Sequence, residues 1–499
     1  MLVRRLLPLV LLSLGPLAAD VRLPALFGDH MVIQRGLPVH VWGWAEPGEP
    51  VEATFAGSRA ATEADSNGDW SLYLPPVEAG GPHELTVSGG NTLRFTDVLA
   101  GDVWLASGQS NMVWPVSRSI DAEREIAAAD CPKIRLFQVK LETAEEPKED
   151  VSGSWSLCGP ETIGGFSAVA YFFARNLEQT VDAPIGLVQS AWGGTPAEAW
   201  TSREALEDDP SLGVFVEKWR AVLAEYPRAH VRYEQALEEW QSLQNSSGGE
   251  APPRPREPRG AGHPHAPATL YNAMIAPLTP FPIRGALWYQ GENNANQNEG
   301  YEYRRLFQTM ILDWRESWGV GPFPFLFVQL ANYARVPDES QWPELREAQA
   351  MALDLVNTGM ATAIDIGESE DIHPRNKQEV GRRLALAARA VAYGEDDLVY
   401  SGPIYRQMTI EGGDARIWFD SVGKGLEARE GDLKGFEIAG PDGRFHSAQA
   451  RIEGDTVVVS SEKVSRSIAV RYGWAADPEL NLYNEAGLPA PPFRTDDWR

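Results

Sequence analysis

From about residue 98 to residue 395, short continuous apolar runs alternate with segments that have the periodicity of amphipathic helices. The apolar runs lie at 103–106, 134–139, 185–189, 286–289, 325–330 and 361–366, and the clearest helical segments lie at 168–180, 301–318 and 342–357. Strands that are apolar throughout are buried on both faces, as in a parallel sheet covered by helices. The alternation therefore predicts a doubly wound α/β domain over residues 98–395.

The segments on either side of this domain have a β pattern. Residues 20–97 and 396–499 contain short strand-like runs separated by Gly- and Pro-rich turns. This spacing is typical of small sandwiches. A chain of 499 residues has room for three domains at roughly 150 residues each. We therefore predict an N-terminal β-sandwich-like module, the central domain and a C-terminal β module.

An insertion at about 203–268 interrupts the α/β pattern. Residues 214–244 are largely helical in pattern, and Pro227 is expected to kink or divide that helix. Residues 245–267 are rich in Pro, Gly and Arg, which predicts a loop or a disordered segment. His263 and His265 lie in this segment, but two histidines beside a proline are weak evidence for a metal site. We predict no metal.

The first nineteen residues predict export. Arg4 and Arg5 precede an apolar run that ends at Leu17, and Ala18 and Ala19 follow it. This is the pattern of a cleavable signal peptide, and the run is too short to span a membrane. In an oxidising compartment Cys131 and Cys158, the chain's two cysteines, can form a disulfide. The sequence leaves the pairing open.

The net charge of the chain limits the kinds of partner that it can bind. The formal net charge is −26, from 44 basic and 70 acidic residues, and such a chain repels nucleic-acid phosphates and anionic lipids. We therefore expect neither nucleic acid nor a membrane surface as a partner. The 17 tryptophans fit either core packing or platforms that stack on sugar rings.

Small, polar and titratable residues follow four of the predicted strands. These segments are Ser107–Met112, Ser190–Thr195, Gln290–Asn294 and Ile366–Pro374. In doubly wound domains, ligands bind outside the carboxyl ends of the strands. The four segments therefore predict one site at one edge of the sheet.

Ser110 and His373 are the candidate nucleophile and base of that site. Ser110 lies on a tight turn between a strand and a predicted helix, and a serine needs a base to take its proton. Of eight histidines, His373 alone follows a strand of the α/β domain with acids directly before it. Asp371 or Glu370 would orient its imidazole.

An acyl-transfer site also needs hydrogen-bond donors where the oxyanion develops. Gly193 and Gly194 leave their backbone N–H groups accessible after a strand, and the side-chain amide of Gln290 is a further candidate. The pattern Gly-x-Ser-x-Gly is absent around Ser110, which disfavours an α/β-hydrolase.

Five motifs resemble the sialate O-acetylesterase family of the SGNH hydrolase superfamily. They are Gly101–Met112, Ser190–Trp200, Leu270–Leu278, Ala286–Ala295 and Asp371–Ala385, and they occur in order along the chain. The resemblance implies a flavodoxin-like three-layer αβα domain with a parallel sheet. It also implies a serine esterase that uses no cofactor and removes O-acetyl groups from sugars through an acetyl-serine intermediate.

Carried over residue by residue, the resemblance makes Ser110 the nucleophile and His373 the general base and then the general acid. The Ser110 N–H joins Gly193, Gly194 and Gln290 as an oxyanion-hole candidate. Related sequences more often have Ser where this chain has Asn293, so the contacts of residue 293 stay open. The spacing of Asp-Ile-His favours Asp371 as the acid, while Glu370 and Asp365 remain alternatives.

Three functions are compatible with these sequence features. The first is an exported, sialate O-acetylesterase-like enzyme acting on an acetylated sugar or glycan. The second is an acetylxylan or other polysaccharide acetylesterase, and the negative net charge mildly disfavours an anionic substrate. The third is a non-catalytic glycan-binding protein on the same scaffold. The oligomeric state is not indicated by the sequence.

Overall fold

The computed structural model describes residues 20–246, 252–337 and 340–498; the predicted signal segment, residues 1–19, lies outside them. The N-terminal module contains β1 (Val32–Gln34), β2 (Val39–Trp44), β3 (Pro50–Phe55), β4 (Ser58–Glu63), β5 (Asp69–Leu74) and β6 (Gly80–Ser88). Alternate residues of β5 are buried, including Trp70, Leu72 and Leu74. This alternation is that of a sheet with one face on a core, and it explains the strand-like pattern of the sequence.

The central sheet has the strand order β13–β12–β11–β7–β10–β8–β9. Its strands are β7 (Thr92–Gly108), β8 (Cys131–Gln138), β9 (Trp155–Cys158), β10 (Ile185–Ala191), β11 (Gly285–Tyr289), β12 (Phe325–Gln329) and β13 (Thr358–Thr362). Each pair of neighbouring strands in this order is parallel, except that β8 and β9 are antiparallel to each other. The strands β10 to β13 are buried along their whole length, because helices cover both faces.

The helices are α1 (Ser110–Val113), α2 (Ala122–Ala127), α3 (Ala168–Glu178), α4 (Arg203–Asp208), α5 (Gly213–Ser246), α6 (Glu292–Asn296), α7 (Gly300–Trp318), α8 (Trp342–Met351) and α9 (Lys377–Val391). α3 packs on α9, and α7 packs on α8. A π-helix spans Tyr271–Ile275, and short 3₁₀ helices include Val116–Arg118 and Ala197–Trp200. The predicted three-layer αβα fold with a mainly parallel sheet is therefore confirmed.

One strand joins the first two modules. β7 pairs with β1 and β6 through its first part, and with β10 and β11 through its last part. The predicted boundary between residues 97 and 98 lies inside this strand. The N-terminal module is consequently continuous with the central sheet through hydrogen-bonded backbone.

The C-terminal module consists of β14 (Ile404–Glu411), β15 (Asp414–Asp420), β16 (Leu426–Ala428), β17 (Phe436–Ala439), β18 (Phe445–Ser447), β19 (Gln449–Glu453), β20 (Thr456–Ser460), β21 (Ala469–Tyr472), β22 (Leu482–Asn484) and β23 (Phe493–Arg494). It has a hydrophobic core of its own. The buried guanidinium of Arg346 donates to the carbonyl oxygens of Ala475 and Ala476 at 2.7 and 2.8 Å. These hydrogen bonds attach the module to α8 of the central domain.

The insertion differs from the sequence expectation at Pro227. α5 runs unbroken from Gly213 to Ser246 with Pro227 inside it, so the proline does not divide the helix, and the alternative expectation, a kink at Pro227, stays a prediction. Surrounding turns can keep a helix continuous although one backbone hydrogen bond is lost at a proline. No helix in the described part of the chain combines the length and the apolarity needed to cross a bilayer.

The two cysteines lie directly opposite each other. Cys131 of β8 is the register partner of Cys158 of β9, and both are buried free thiols. Directly opposed residues of antiparallel strands have Cα atoms roughly 4.5–5.5 Å apart, within the range that a disulfide spans. The fold therefore brings together the two thiols whose pairing the sequence left open.

Candidate active site

Ser110 follows a glycine that the sheet requires. Gly108, the last residue of β7, has φ +134°, and a Cβ atom on it would lie 2.2 Å from the carbonyl oxygen of Tyr289. The chain then turns sharply: the Gln109 N–H donates to the same carbonyl at 2.9 Å, and α1 begins at Ser110. This turn presents the half-buried Ser110 side chain at the carboxyl end of the sheet.

His373 reaches Ser110 from the loop between β13 and α9. Its Nε2 lies 2.9 Å from Ser110 Oγ, which is hydrogen-bond distance for a base and its nucleophile. The imidazole stacks on the Trp114 ring, with centroids 4.9 Å apart and planes at 16°. Burial chiefly, and then the Lys377 charge, lower the pKa of His373 from its ordinary 6.5.

The three acids named as alternatives have different partners. Asp371 Oδ1 accepts from the His373 backbone N–H at 2.9 Å and lies 3.6 Å from His373 Nδ1. Glu370 is exposed and pairs with Arg335. Asp365 pairs with the buried guanidinium of Arg383. The structure thus brings Asp371, and neither of the others, to the imidazole.

Gly193 lies against Ser110. A Cβ atom built on Gly193 would be 3.5 Å from Ser110 Cβ, so the turn after β10 passes beside the serine. Among the hydrogen bonds of the described chain, none uses the backbone N–H of Ser110 or of Gly193. Both groups are available as oxyanion donors. Gly194, with φ +76°, completes the turn.

Gln290 is not arranged as predicted. Its fully buried Nε2 donates to Thr195 O at 3.2 Å and to Asn294 Oδ1 at 2.7 Å, while its Oε1 accepts from the Tyr303 hydroxyl at 2.8 Å. Both amide hydrogens are used inside the protein. This geometry does not support Gln290 as an oxyanion donor and instead gives it a structural role that joins two active-site loops.

Asn293 occupies the position whose contacts the sequence left open. Its Nδ2 donates to Gly194 O at 2.8 Å, and its backbone N–H donates to Gln109 Oε1 at 3.2 Å. The side chain is half-buried, and one of its two amide hydrogens remains for a ligand. The sequence marks residue 293 because related sequences more often have Ser there. It does not predict the hydrogen bond from Asn293 to the carbonyl oxygen of Gly194.

A family model for "Carbohydrate esterase, sialic acid-specific acetylesterase" matches residues 100–241 and 259–390, more than half of the chain. The chain belongs to the sialate O-acetylesterase family. The resemblance stated from the five motifs, and with it membership of a carbohydrate esterase family, is therefore confirmed.

Full-length relatives of this family are similar along almost the whole chain. The sialate O-acetylesterase of Rattus norvegicus is 34% identical, covering 95% of this chain and 94% of its own. That of Homo sapiens is 32% identical, covering 98% and 95%. Among solved structures, a carbohydrate acetylesterase from Xanthomonas citri is 42% identical, with TM-score 0.83, and covers 96% of this chain and 100% of its own. All three modules are thus shared with this solved relative.

Across residues 20–246, 252–337 and 340–498, no group of three or more His, Cys, Asp or Glu side chains is arranged to hold a metal ion. His263 and His265 contact each other edge to face, with ring centroids 4.8 Å apart. Five tryptophans are almost fully buried and belong to the core: Trp104, Trp200, Trp288, Trp314 and Trp342. Trp114, beside His373, is one that lies at the site.

The lowered pKa of His373 predicts the acid side of the pH–rate profile. As the predicted general base, His373 must be neutral to accept the Ser110 proton, so we expect kcat/KM to fall as pH drops through its pKa. Burial, Lys377 and Arg118 lower this pKa and Asp371 raises it, with a net lowering from 6.5. We expect the acid-limb midpoint of kcat/KM for p-nitrophenyl acetate to lie below pH 6.5; a midpoint above that value would contradict this geometry.

Proposed function

We propose that the protein removes O-acetyl groups from carbohydrates as a sialate O-acetylesterase-like serine esterase. The observation that carries the proposal is the 2.9 Å contact between His373 Nε2 and Ser110 Oγ. A binding module has no use for a base on a serine hydroxyl, so this contact disfavours a non-catalytic glycan-binding protein.

The positions of these atoms support acylation of Ser110 as the first step. Ser110 Oγ attacks the acetyl carbonyl carbon while His373 Nε2 takes the hydroxyl proton. The resulting oxyanion accepts hydrogen bonds from the N–H groups of Ser110 and Gly193, with the Asn293 amide as a third donor. When the tetrahedral adduct collapses, the sugar oxygen leaves with the proton held by His373, and Ser110 carries the acetyl group.

Deacylation uses the same groups with water as the nucleophile. His373 takes one proton from the water as its oxygen attacks the acetyl-serine carbonyl carbon, and then returns that proton to Ser110 Oγ as acetic acid leaves. The acetic acid ionises to acetate in solution. The Asp371 carboxylate accepts a hydrogen bond from the His373 backbone N–H and lies on the Nδ1 side of the ring. It therefore stabilises the imidazolium that forms in both steps.

Replacement of the nucleophile tests this proposal. We expect Ser110→Ala to lower kcat/KM for p-nitrophenyl acetate by at least about 10³-fold, because nucleophile and base act as a unit. The kcat/KM of His373→Ala should be lowered nearly as much. Circular dichroism and thermal melting provide the control for folding, and full activity in folded Ser110→Ala would exclude the assignment.

Arg118 favours an acidic sugar as the substrate. The Trp114 ring stacks on His373 and also has the Arg118 guanidinium 5.5 Å from its centroid. Arg118 is exposed, and no carboxylate of the described chain pairs with it, whereas the nearby Arg375 pairs with Glu368. A free guanidinium beside the catalytic histidine suits the carboxylate of a sialic acid, and we propose that it binds this group.

Substrate comparison tests the role of Arg118. We expect Arg118→Ala to raise KM for an O-acetylated sialic acid roughly 10-fold or more, the effect of losing one hydrogen bond to a charged group. The kcat/KM of the Arg118→Ala variant for acetylated xylose should change by less than about threefold. Arg375→Ala is the matched control, because its cation is already paired. Equal losses on both sugars, or preferential turnover of acetylated xylan by the parent enzyme, would favour the polysaccharide esterase.

We also propose that the chain is exported and that Cys131 and Cys158 form a disulfide there. The pattern of residues 1–19 and the opposed positions of the two thiols support this proposal. We expect the exported protein to begin at Asp20 and to show no free thiol before reduction. Mass spectrometry of the intact protein with and without reductant measures both. An N-terminal Met1 with two free thiols would contradict it.

A further inference from the structure

Three buried polar side chains lie next to the catalytic pair. Asn111, Glu292 and Lys377 are 1%, 2% and 0% exposed. Lys377 Nζ donates to Asn111 Oδ1, and Asn111 Nδ2 donates to Glu292 Oε1. A buried ammonium and a buried carboxylate are therefore joined through one neutral amide.

Each member of this network lies within four residues of a residue that we assign to the catalytic machinery. Asn111 follows Ser110, and Glu292 precedes Asn293. Lys377 is the first residue of α9, just after the His373 loop. Asn111 Nδ2 also donates to the carbonyl oxygen of Ile372 at 3.0 Å, directly before His373. The network thus connects the turn after β7, the start of α6 and the loop that carries His373.

An asparagine is well suited to the centre of this network. Its amide has an acceptor for the ammonium and two donors, one for the carboxylate and one for the backbone carbonyl. Buried charges are costly unless they are paired and hydrogen-bonded. Any displacement of Asn111 would leave both charges without these contacts, so the network resists movement of the turn that carries Ser110.

We propose that Lys377, Asn111 and Glu292 form a positioning network that holds Ser110 and His373 at reacting distance and places a cation beside the imidazole. The proposal rests on the esterase function proposed above. None of the three side chains has a described contact with Ser110 Oγ or with the imidazole nitrogens, so they act through the backbone of residues 110 and 372 and through the field of Lys377.

The electrostatics of the site agree with this arrangement. Burial lowers the pKa of Lys377 to about 7, although the nearby charges of Glu292, Glu368 and Asp371 act to raise it. After burial, the Lys377 charge is the largest cause of the lowered pKa of His373, with Asp371 opposing it and Arg118 adding to it.

The test is the pH profile of kcat/KM for Lys377→Met, which keeps the length of the side chain and removes its charge. We expect kcat to fall at least about 30-fold, because small displacements of reacting groups are costly. We also expect the acid-limb midpoint to move to higher pH, because His373 loses a neighbouring cation. A role in stability alone would leave that midpoint unchanged.

Arg382→Met is the matched control, because it removes one positive charge from the outer part of the same helix, where Arg382 pairs with Glu379. It should keep kcat within about twofold of the parent and keep the midpoint. Lys377→Met with the parental kcat or the parental midpoint would overturn the proposal. Because Ser110→Ala is assayed in parallel, loss of the positioning role is distinguished from failure of the serine mechanism.

A double variant keeps the test available if Lys377→Met does not fold. In Lys377→Met/Glu292→Gln both buried charges are absent, so no charge remains unpaired. We expect the double variant to melt at a higher temperature than Lys377→Met and to retain an upward shift of the midpoint. A folded double variant with the parental midpoint and the parental kcat would overturn the proposal.

Discussion

The candidate site depends on the register of β7 between its two parallel neighbours. Gly108 at the end of β7 is paired with Ala191 of β10 and with Tyr289 of β11. The three strands therefore end at the same level, and the chain must turn away from the sheet at the same place three times. Ser110, the Gly193 turn and Asn293 at the start of α6 meet because those strands end together.

Much of this arrangement could be predicted from the sequence, because strand ends are a local property of the chain. Continuous apolar runs marked the strands, and the polar residues after them identified Ser110 and His373. Side-chain contacts between loops are not local. The engagement of the Gln290 amide by Thr195 and Asn294 depends on tertiary packing. The choice among three acids needed the partners of Glu370 and Asp365.

Charge is distributed unevenly around the catalytic pair. Although the chain has a net charge of −26, His373 has Lys377 and Arg118 as neighbouring cations and Asp371 as its acid. Burial and the cations lower the pKa of His373 from its ordinary 6.5, which favours the neutral imidazole that a general base requires. Asp371 is available to stabilise the imidazolium when it forms. The overall acidity of the protein is therefore a poor guide to the charge that a substrate meets at the site.

The most direct test of the account is covalent labelling with a fluorophosphonate, which phosphonylates a serine activated by a base. The account predicts one adduct per chain, located on Ser110 by mass spectrometry of peptides, with loss of esterase activity in proportion to labelling. His373→Ala should label far more slowly, because the hydroxyl then lacks its base. An adduct on another residue that accompanies loss of activity, or full activity after Ser110 is labelled, would contradict the account.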